Sequence, residues 1–240
     1  MALGAFRGDP AGLVAACRRI IDRHLSCGPL WWLCARILCA PDPVAEARDA
    51  VRQIEEDTTS RRLAEVLPDD GRVVMVGDGE IVLAALARRG DVRSLVVDVD
   101  GTAHDVARFL ERLDLDAMPV QARAVGAAAA NADVVLVEAL AAGPAAALVP
   151  SGSRAAAAVA RADGVPVWLV AGAGRLMPER MWDALVGRWS TSIDPLDAVE
   201  EEMPHVLVDQ IVGAEGPEGL DSAIARTDCP VAPELFRLAG

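Results

Sequence analysis

Glu138 stands at the carboxyl end of a Val-rich apolar run, Val134-Val135-Leu136-Val137. A carboxylate there is costly unless it is paired or at work. It is therefore the leading candidate for a catalytic or ligand-binding acid, with pairing to an Arg as the structural alternative. Two further acids lie at the ends of similar runs. Asp78 falls within Gly77-Asp78-Gly79-Glu80, and Asp98 opens Asp98-Val99-Asp100-Gly101-Thr102. Gly77 and Gly79 let backbone N–H groups approach a ligand, and the helix that follows favours an anion at its start. Asp78 and Glu80 could equally cap that helix. Asp98 could bind a ribose hydroxyl, being about twenty positions beyond the glycines, or make a turn and a cap.

Two other loops carry anion-binding chemistry. Pro150-Ser151-Gly152-Ser153-Arg154 opens an Ala-rich helix. A glycine, two hydroxyls, an Arg and a helix start with no acid in the same stretch make a phosphate cradle, or else a Ser-capped helix. Gly172-Ala173-Gly174-Arg175 offers a second flexible loop with an Arg. His24 lies near Cys27, Cys34 and Cys39, but Trp31, Trp32, Leu33, Ile37 and Leu38 surround these thiols. Cys is commonly a small buried hydrophobe, and the spacing is poor for zinc. Neither a metal nor a resident cofactor is expected.

Composition removes whole classes of function. All 23 basic residues are Arg, and there is neither Lys nor Tyr. That excludes a lysine Schiff base, a lysine general base and a Walker-type phosphate loop. The net charge of −13 repels nucleic-acid backbones. Five cysteines, four of them in one apolar helical stretch, suit a reducing compartment better than a disulfide framework. No signal peptide is apparent. The most apolar window, Leu30–Cys39, contains Arg36 and is too short to span a bilayer. A cytoplasmic protein with no membrane segment is expected.

The elements that must position these loops follow from periodicity. Residues 1–67 read as helices only: Ala11–His24, Leu30–Leu38, then a long amphipathic helix from Asp42 or Pro43 to Leu67. Its buried face is read as Val44, Ala47, Val51, Ile54 and Leu63. From 68 to 240 short apolar runs alternate with helices. The strands are Arg72–Val76, Ser94–Asp98, Ala117–Gln121, Val134–Val137, Val167–Val170 and Val206–Val212. The helices are Ile81–Arg89, Thr102–Leu113, Val125–Ala130, Ser153–Ala162, Pro178–Arg188 and Pro217–Arg226. Such runs belong to parallel strands covered on both faces, so a doubly wound, mainly parallel, Rossmann-like α/β sheet is expected. Ser190–Pro204, with its three glutamates, is expected as an exposed excursion. Ligands of such sheets bind beyond the carboxyl ends of the strands, where the loops above fall.

Residues Asn131-Ala132-Asp133 through Val137, Pro150 through Arg154, Gly164 through Val170, and Val208 through Gly216 resemble the core of the initiation factor 2B alpha/beta/delta family. The order of parts does too: a helical domain, a long acidic helix, then the sheet domain. The resemblance spans roughly 45 to 220. It implies a fold related to ribose-5-phosphate isomerase and coenzyme A transferases, and pairing through the sheet domain as a homodimer. The family holds nucleotide-exchange subunits and isomerases of methylthioribose-1-phosphate and ribose-1,5-bisphosphate. The isomerases place a cysteine in the loop after the first sheet strand, where this chain reads Val76-Gly77-Asp78-Gly79. Their loop aspartate is matched here by Leu140, leaving Glu138 as the nearby acid, and their Asn-Lys pair falls near Val149-Pro150.

Three functions compete on these grounds. The first is a non-enzymatic relative that binds a phosphorylated sugar or nucleotide through Ser151, Gly152, Ser153, Arg154 and Arg175. The second is an aldose–ketose phosphate isomerase with rebuilt chemistry, using Glu138 with Asp78 or Asp98. The third is a nucleotide-cofactor enzyme such as a methyltransferase, which the order of the later strands argues against.

Overall fold

A computed structural model describes residues 9–99, 101–194 and 196–236. Asp100, one of the residues read as a turn or cap, lies outside them. Four helices come first: α1 (Pro10–Arg23), α2 (Gly28–Cys39), α3 (Pro43–Glu55) and α4 (Thr59–Val66). Asp9 and Asp42 cap α1 and α3 through their side chains, each followed by Pro at the first helical position.

The long helix expected to end at Leu67 is two helices. Asp57 breaks it. Its Oδ1 accepts from the Thr59 amide at 2.8 Å and from the Thr59 hydroxyl at 2.6 Å. A side chain that satisfies nearby backbone donors competes with the helical ladder and favours a turn. Val51 and Ile54, expected on the buried face, are 47% and 42% exposed, whereas Ala47, Ala50 and Leu63 are buried.

The sheet elements follow: β1 (Arg72–Val76), α5 (Glu80–Leu86), β2 (Arg93–Asp98), α6 (Ala103–Glu111), β3 (Ala117–Gln121), α7 (Val125–Ala130), β4 (Val134–Glu138), β5 (Ala141–Ala142), β6 (Ala146–Pro150), α8 (Ser153–Ala162), β7 (Val167–Val170), α9 (Glu179–Ser192), β8 (Glu200–Pro204), β9 (Gln210–Gly213), β10 (Gly216–Glu218) and α10 (Leu220–Ala225). The main sheet has the order β10-β9-β7-β4-β1-β2-β3. Every pairing in it is parallel except β10 with β9.

Its central strands are apolar on both faces because both faces are covered. Val74, Val76, Val135 and Val137 join the core under α7 and α8, while Val73, Met75, Val134 and Leu136 join the core under α4, α5 and α6. The chain is thus α/β with a mainly parallel sheet, as its alternation of short apolar runs and helices implies.

Three local expectations are corrected. The 190–204 stretch is an exposed excursion only in its middle, around Leu196, and is regular at both ends. Helix α9 continues to Ser192, and β8 pairs antiparallel with β6, which pairs with β5, to make a second sheet. The run 206–212 is not one strand, because a single 3₁₀ turn (His205–Leu207) precedes β9. Helix α10 starts at Leu220, since Pro217 belongs to β10.

Helices α1 and α2 bury Cys17, Ile21, Trp31, Trp32 and Cys34 against Leu148, Met181, Leu185 and Leu235, so the first helices share a core with α9 and the chain's last segment. No described helix is long and apolar enough to cross a membrane.

Candidate functional site

Strands β1, β4 and β7 end side by side, and the loops that follow them meet at one rim. Glu138 closes β4 there and is 5% exposed. Its Oε2 accepts from the amides of Ile81 at 2.9 Å and Val82 at 3.0 Å, the first turn of α5. Its Oε1 meets a guanidinium nitrogen of Arg175 at 2.9 Å. Arg175 also donates to the carbonyl of Ala139. Burial raises the Glu138 pKa above the usual carboxylate range, and Arg175 and the two amides oppose that rise. A Cβ on Gly79 would lie 2.5 Å from Glu138 Oε2, so this carboxylate explains why residue 79 carries no side chain.

The loop after β7 is held in the same way from the other side. Asp57 Oδ2 accepts from the Ala173 amide at 2.8 Å. A side chain on Gly172 would collide with that carboxylate and with Ile81. Gly174 has φ +75° and faces the Trp32 ring, so it can carry no side chain either.

The loop before α8 turns on Gly152, with φ +87°. The Arg154 amide, at the helix start, donates to Glu201 Oε1 at 2.8 Å, and the Ser151 amide donates to the Val199 carbonyl at 2.9 Å. The Ser153 side chain is fully buried and its hydroxyl has no hydrogen-bond partner among the described residues. Gly77, with φ +76°, sits against Pro150, and Gly152 sits against Val99, so the ends of β1, β2 and β6 also touch.

The structure therefore joins some of the candidate residues and separates others. Glu138 and Arg175 form one bonded unit with the first turn of α5, and Gly79 packs against it. Gly77, Gly152, Pro150 and Val99 form a packed contact beside it. Asp78 is exposed. Asp98 serves its own turn, accepting from the Gly101 amide at 2.8 Å and the Ala103 amide at 3.4 Å at the entry to α6. The Arg154 side chain is exposed while its amide is occupied by Glu201.

Asp57 and Glu201 are the residues that the sequence reading missed. Asp57 had a usable signal, an Asp two positions before Thr59 at a helix start. Glu201 had none, being the middle of three glutamates whose strand pairing was not foreseen.

Of the thiols near His24 only Cys34 is a core residue; Cys27 is half-buried and Cys39 exposed. Cys34 donates to the Cys17 carbonyl at 3.8 Å, and both side chains are buried. A hydrogen bond with Cys17, together with burial, raises the Cys34 pKa. Among the described residues no group of three or more His, Cys, Asp or Glu could hold a metal ion.

Chemically the rim is a set of anion-accepting amides already filled by the protein's own carboxylates: Glu138 on α5, Asp57 on the Gly172–Arg175 loop and Glu201 on α8. The same architecture occurs in known proteins. The translation initiation factor eIF-2B of Pyrococcus horikoshii OT3 superposes with a TM-score of 0.74 at 14% identity, over 92% of this chain and 87% of that one. The chain has the eIF-2B fold. The eIF2B beta subunit of Chaetomium thermophilum superposes with a TM-score of 0.65 at 18% identity, over 94% of this chain and 78% of that one. A chain of the tetrameric eIF2B-beta2-delta2 complex from C. thermophilum gives 0.66 at 16% identity, over 89% and 77%. No family model matches the chain, and no curated protein matches it by sequence. At these identities the likeness to eIF-2B is one of fold.

Proposed function

We propose that this chain is a non-catalytic, cytoplasmic protein of the initiation factor 2B type that works by assembly with a second copy of itself. The observation that carries the non-catalytic reading is the state of Glu138. A general base must reach a substrate proton. Glu138 is buried, and its two oxygens are committed to two amides and Arg175. Pulling it away would strand Arg175, at a cost of about 3–5 kcal/mol for breaking a buried pair.

Assembly is supported by large apolar residues left in solvent around β8: Leu196 at 94%, Val206 at 68% and Val199 at 58% exposure. It is also supported by the fold neighbour that is itself part of a tetramer. Two measurements test the proposal. Light scattering should give a dimer for the wild type and a monomer for Leu196→Glu with Val206→Glu; a wild-type monomer sinks the assembly reading. Ribose 5-phosphate and methylthioribose-1-phosphate should show no isomerisation. Turnover that Glu138→Gln removes from a folded protein sinks the non-catalytic reading.

A second reading is favoured by Ser153, whose hydroxyl is buried beside the Gly152 turn without a hydrogen-bond partner among the described residues. In it a phosphorylated sugar or nucleotide displaces Glu201 from the start of α8 and uses Ser151, Gly152, Ser153 and Arg154. Thermal melting with ribose 5-phosphate and AMP tests it. Binding only the folded state raises the melting temperature, and Glu201→Gln should enlarge the rise. No rise with either compound in either protein removes this reading.

A further inference from the structure

Away from the rim, a groove of about 520 Å³ opens between α1 and the start of α2, lined by Ala16, Arg19, Ile20, Arg23, His24 and Leu30. Arg19 and Arg23 are both exposed and one helical turn apart. Side chains at this spacing are neighbours on the helix surface, and like charges there repel. The helix C-terminus offsets part of that repulsion, because Arg23 sits in the last turn of α1.

The nearby acid does not neutralise the pair. Asp22, between them in sequence, is committed to Arg188 on α9. Arg18 turns the other way, to the Glu234 carbonyl at 2.8 Å. In a chain with 36 acidic residues against 23 arginines, no acid lines this groove among the described residues. The remaining wall is apolar at Ala16, Ile20 and Leu30, with the exposed His24 imidazole beside Arg23, and Ile20 is 37% exposed. A concave site of a few hundred Å³ with an apolar wall and a few convergent charges has the size and make-up of a small-molecule pocket.

We propose that this groove binds a phosphate monoester with an apolar body. The phosphate dianion lies between Arg19 and Arg23, whose guanidinium forks match its oxygens. The apolar body lies on Ile20 and Leu30. The dianion removes the Arg19–Arg23 repulsion, so a doubly charged head is favoured over a single carboxylate. This site is independent of the reading given above for the rim.

Calorimetric titration of the full chain with 1-naphthyl phosphate tests the proposal. Saturable binding is expected, and inorganic phosphate (the head alone) and 1-naphthoate (a monoanionic head) should each bind at least tenfold more weakly than 1-naphthyl phosphate. Arg19→Ala and Arg23→Ala should each weaken it at least tenfold. Both side chains are exposed, and circular dichroism checks that the variants fold. Arg154→Ala at the rim should leave the affinity unchanged. The proposal is overturned if no binding is seen, if 1-naphthoate binds as well, or if Arg154→Ala weakens binding while Arg19→Ala and Arg23→Ala do not.

Discussion

Arg175 reaches Glu138 from the neighbouring loop, and each needs the other because both are largely out of water: 14% and 5% side-chain exposure. Replacing Arg175 with Met keeps most of the volume but leaves a buried carboxylate with only amide donors. The expected loss is about 3–5 kcal/mol of unfolding free energy, the cost of breaking a buried pair from one side. Arg175→Met combined with Glu138→Gln should recover part of that loss, because the stranded charge is gone. Urea unfolding of the two single variants and the double variant measures the coupling. Additive losses would mean that the ion pair contributes nothing beyond its separate parts, and the locked-carboxylate account of the rim would be wrong. Gly79→Ala belongs to the same unit, since its Cβ would press on Glu138 Oε2.

At the scale of elements, Asp57 links the end of the helical segment to the sheet rim. One oxygen starts α4 through Thr59 and the other holds the Ala173 amide. Asp57→Ala leaves several donors without their acceptor, so a loss of about 1–3 kcal/mol is expected. Amide hydrogen exchange should speed up at Ala173 as well as at Thr59. Faster exchange at Thr59 alone would show that the link across to the loop carries nothing.

The elements were legible to unequal degrees. Strands β1 and β7 could be bounded from residue type because buried parallel strands are unbroken runs of apolar side chains. β5 and β6 were not legible. Ala141–Ala142 and Ala146–Pro150 are small or unremarkable residues, and their strand state comes from β6 pairing with β5 on one side and with β8 on the other; in β8 Glu200 finds Ser26 and Trp189, and Glu201 the Arg154 amide, only in the folded chain. The site was half legible for the same reason. Glu138 was suspect from its apolar neighbours, whereas its satisfaction by Ile81, Val82 and Arg175 is a tertiary fact.

In the whole molecule, a buried carboxylate and a half-buried imidazole on different elements set opposite dependences on pH. His205 lies in the turn between β8 and β9. Burial depresses its pKa below the usual value, and the nearby Pro144 backbone opposes this in part, although neither ring nitrogen reaches a hydrogen-bond partner among the described residues. The unfolded chain therefore takes a proton near pH 6.5 that the folded chain takes only at lower pH. Stability from His205 is fully present above about pH 6.5 and is lost as pH falls through the folded value. Glu138 works the other way. Its folded pKa is raised, so the native state takes up its proton first, and acidification towards the unfolded value of about 4.3 adds stability. Acidification from pH 7.5 to 5.5 brings the histidine into its window, while any proton that Glu138 takes up acts in the opposite direction. Melting temperatures should therefore fall more over this range in the wild type than in His205→Gln, and more in Glu138→Gln than in the wild type. An equal fall in wild type and His205→Gln would show that the ring is solvated in the folded protein, and that the turn around Ala145 and His205 is looser than its 2.9 Å backbone bond implies.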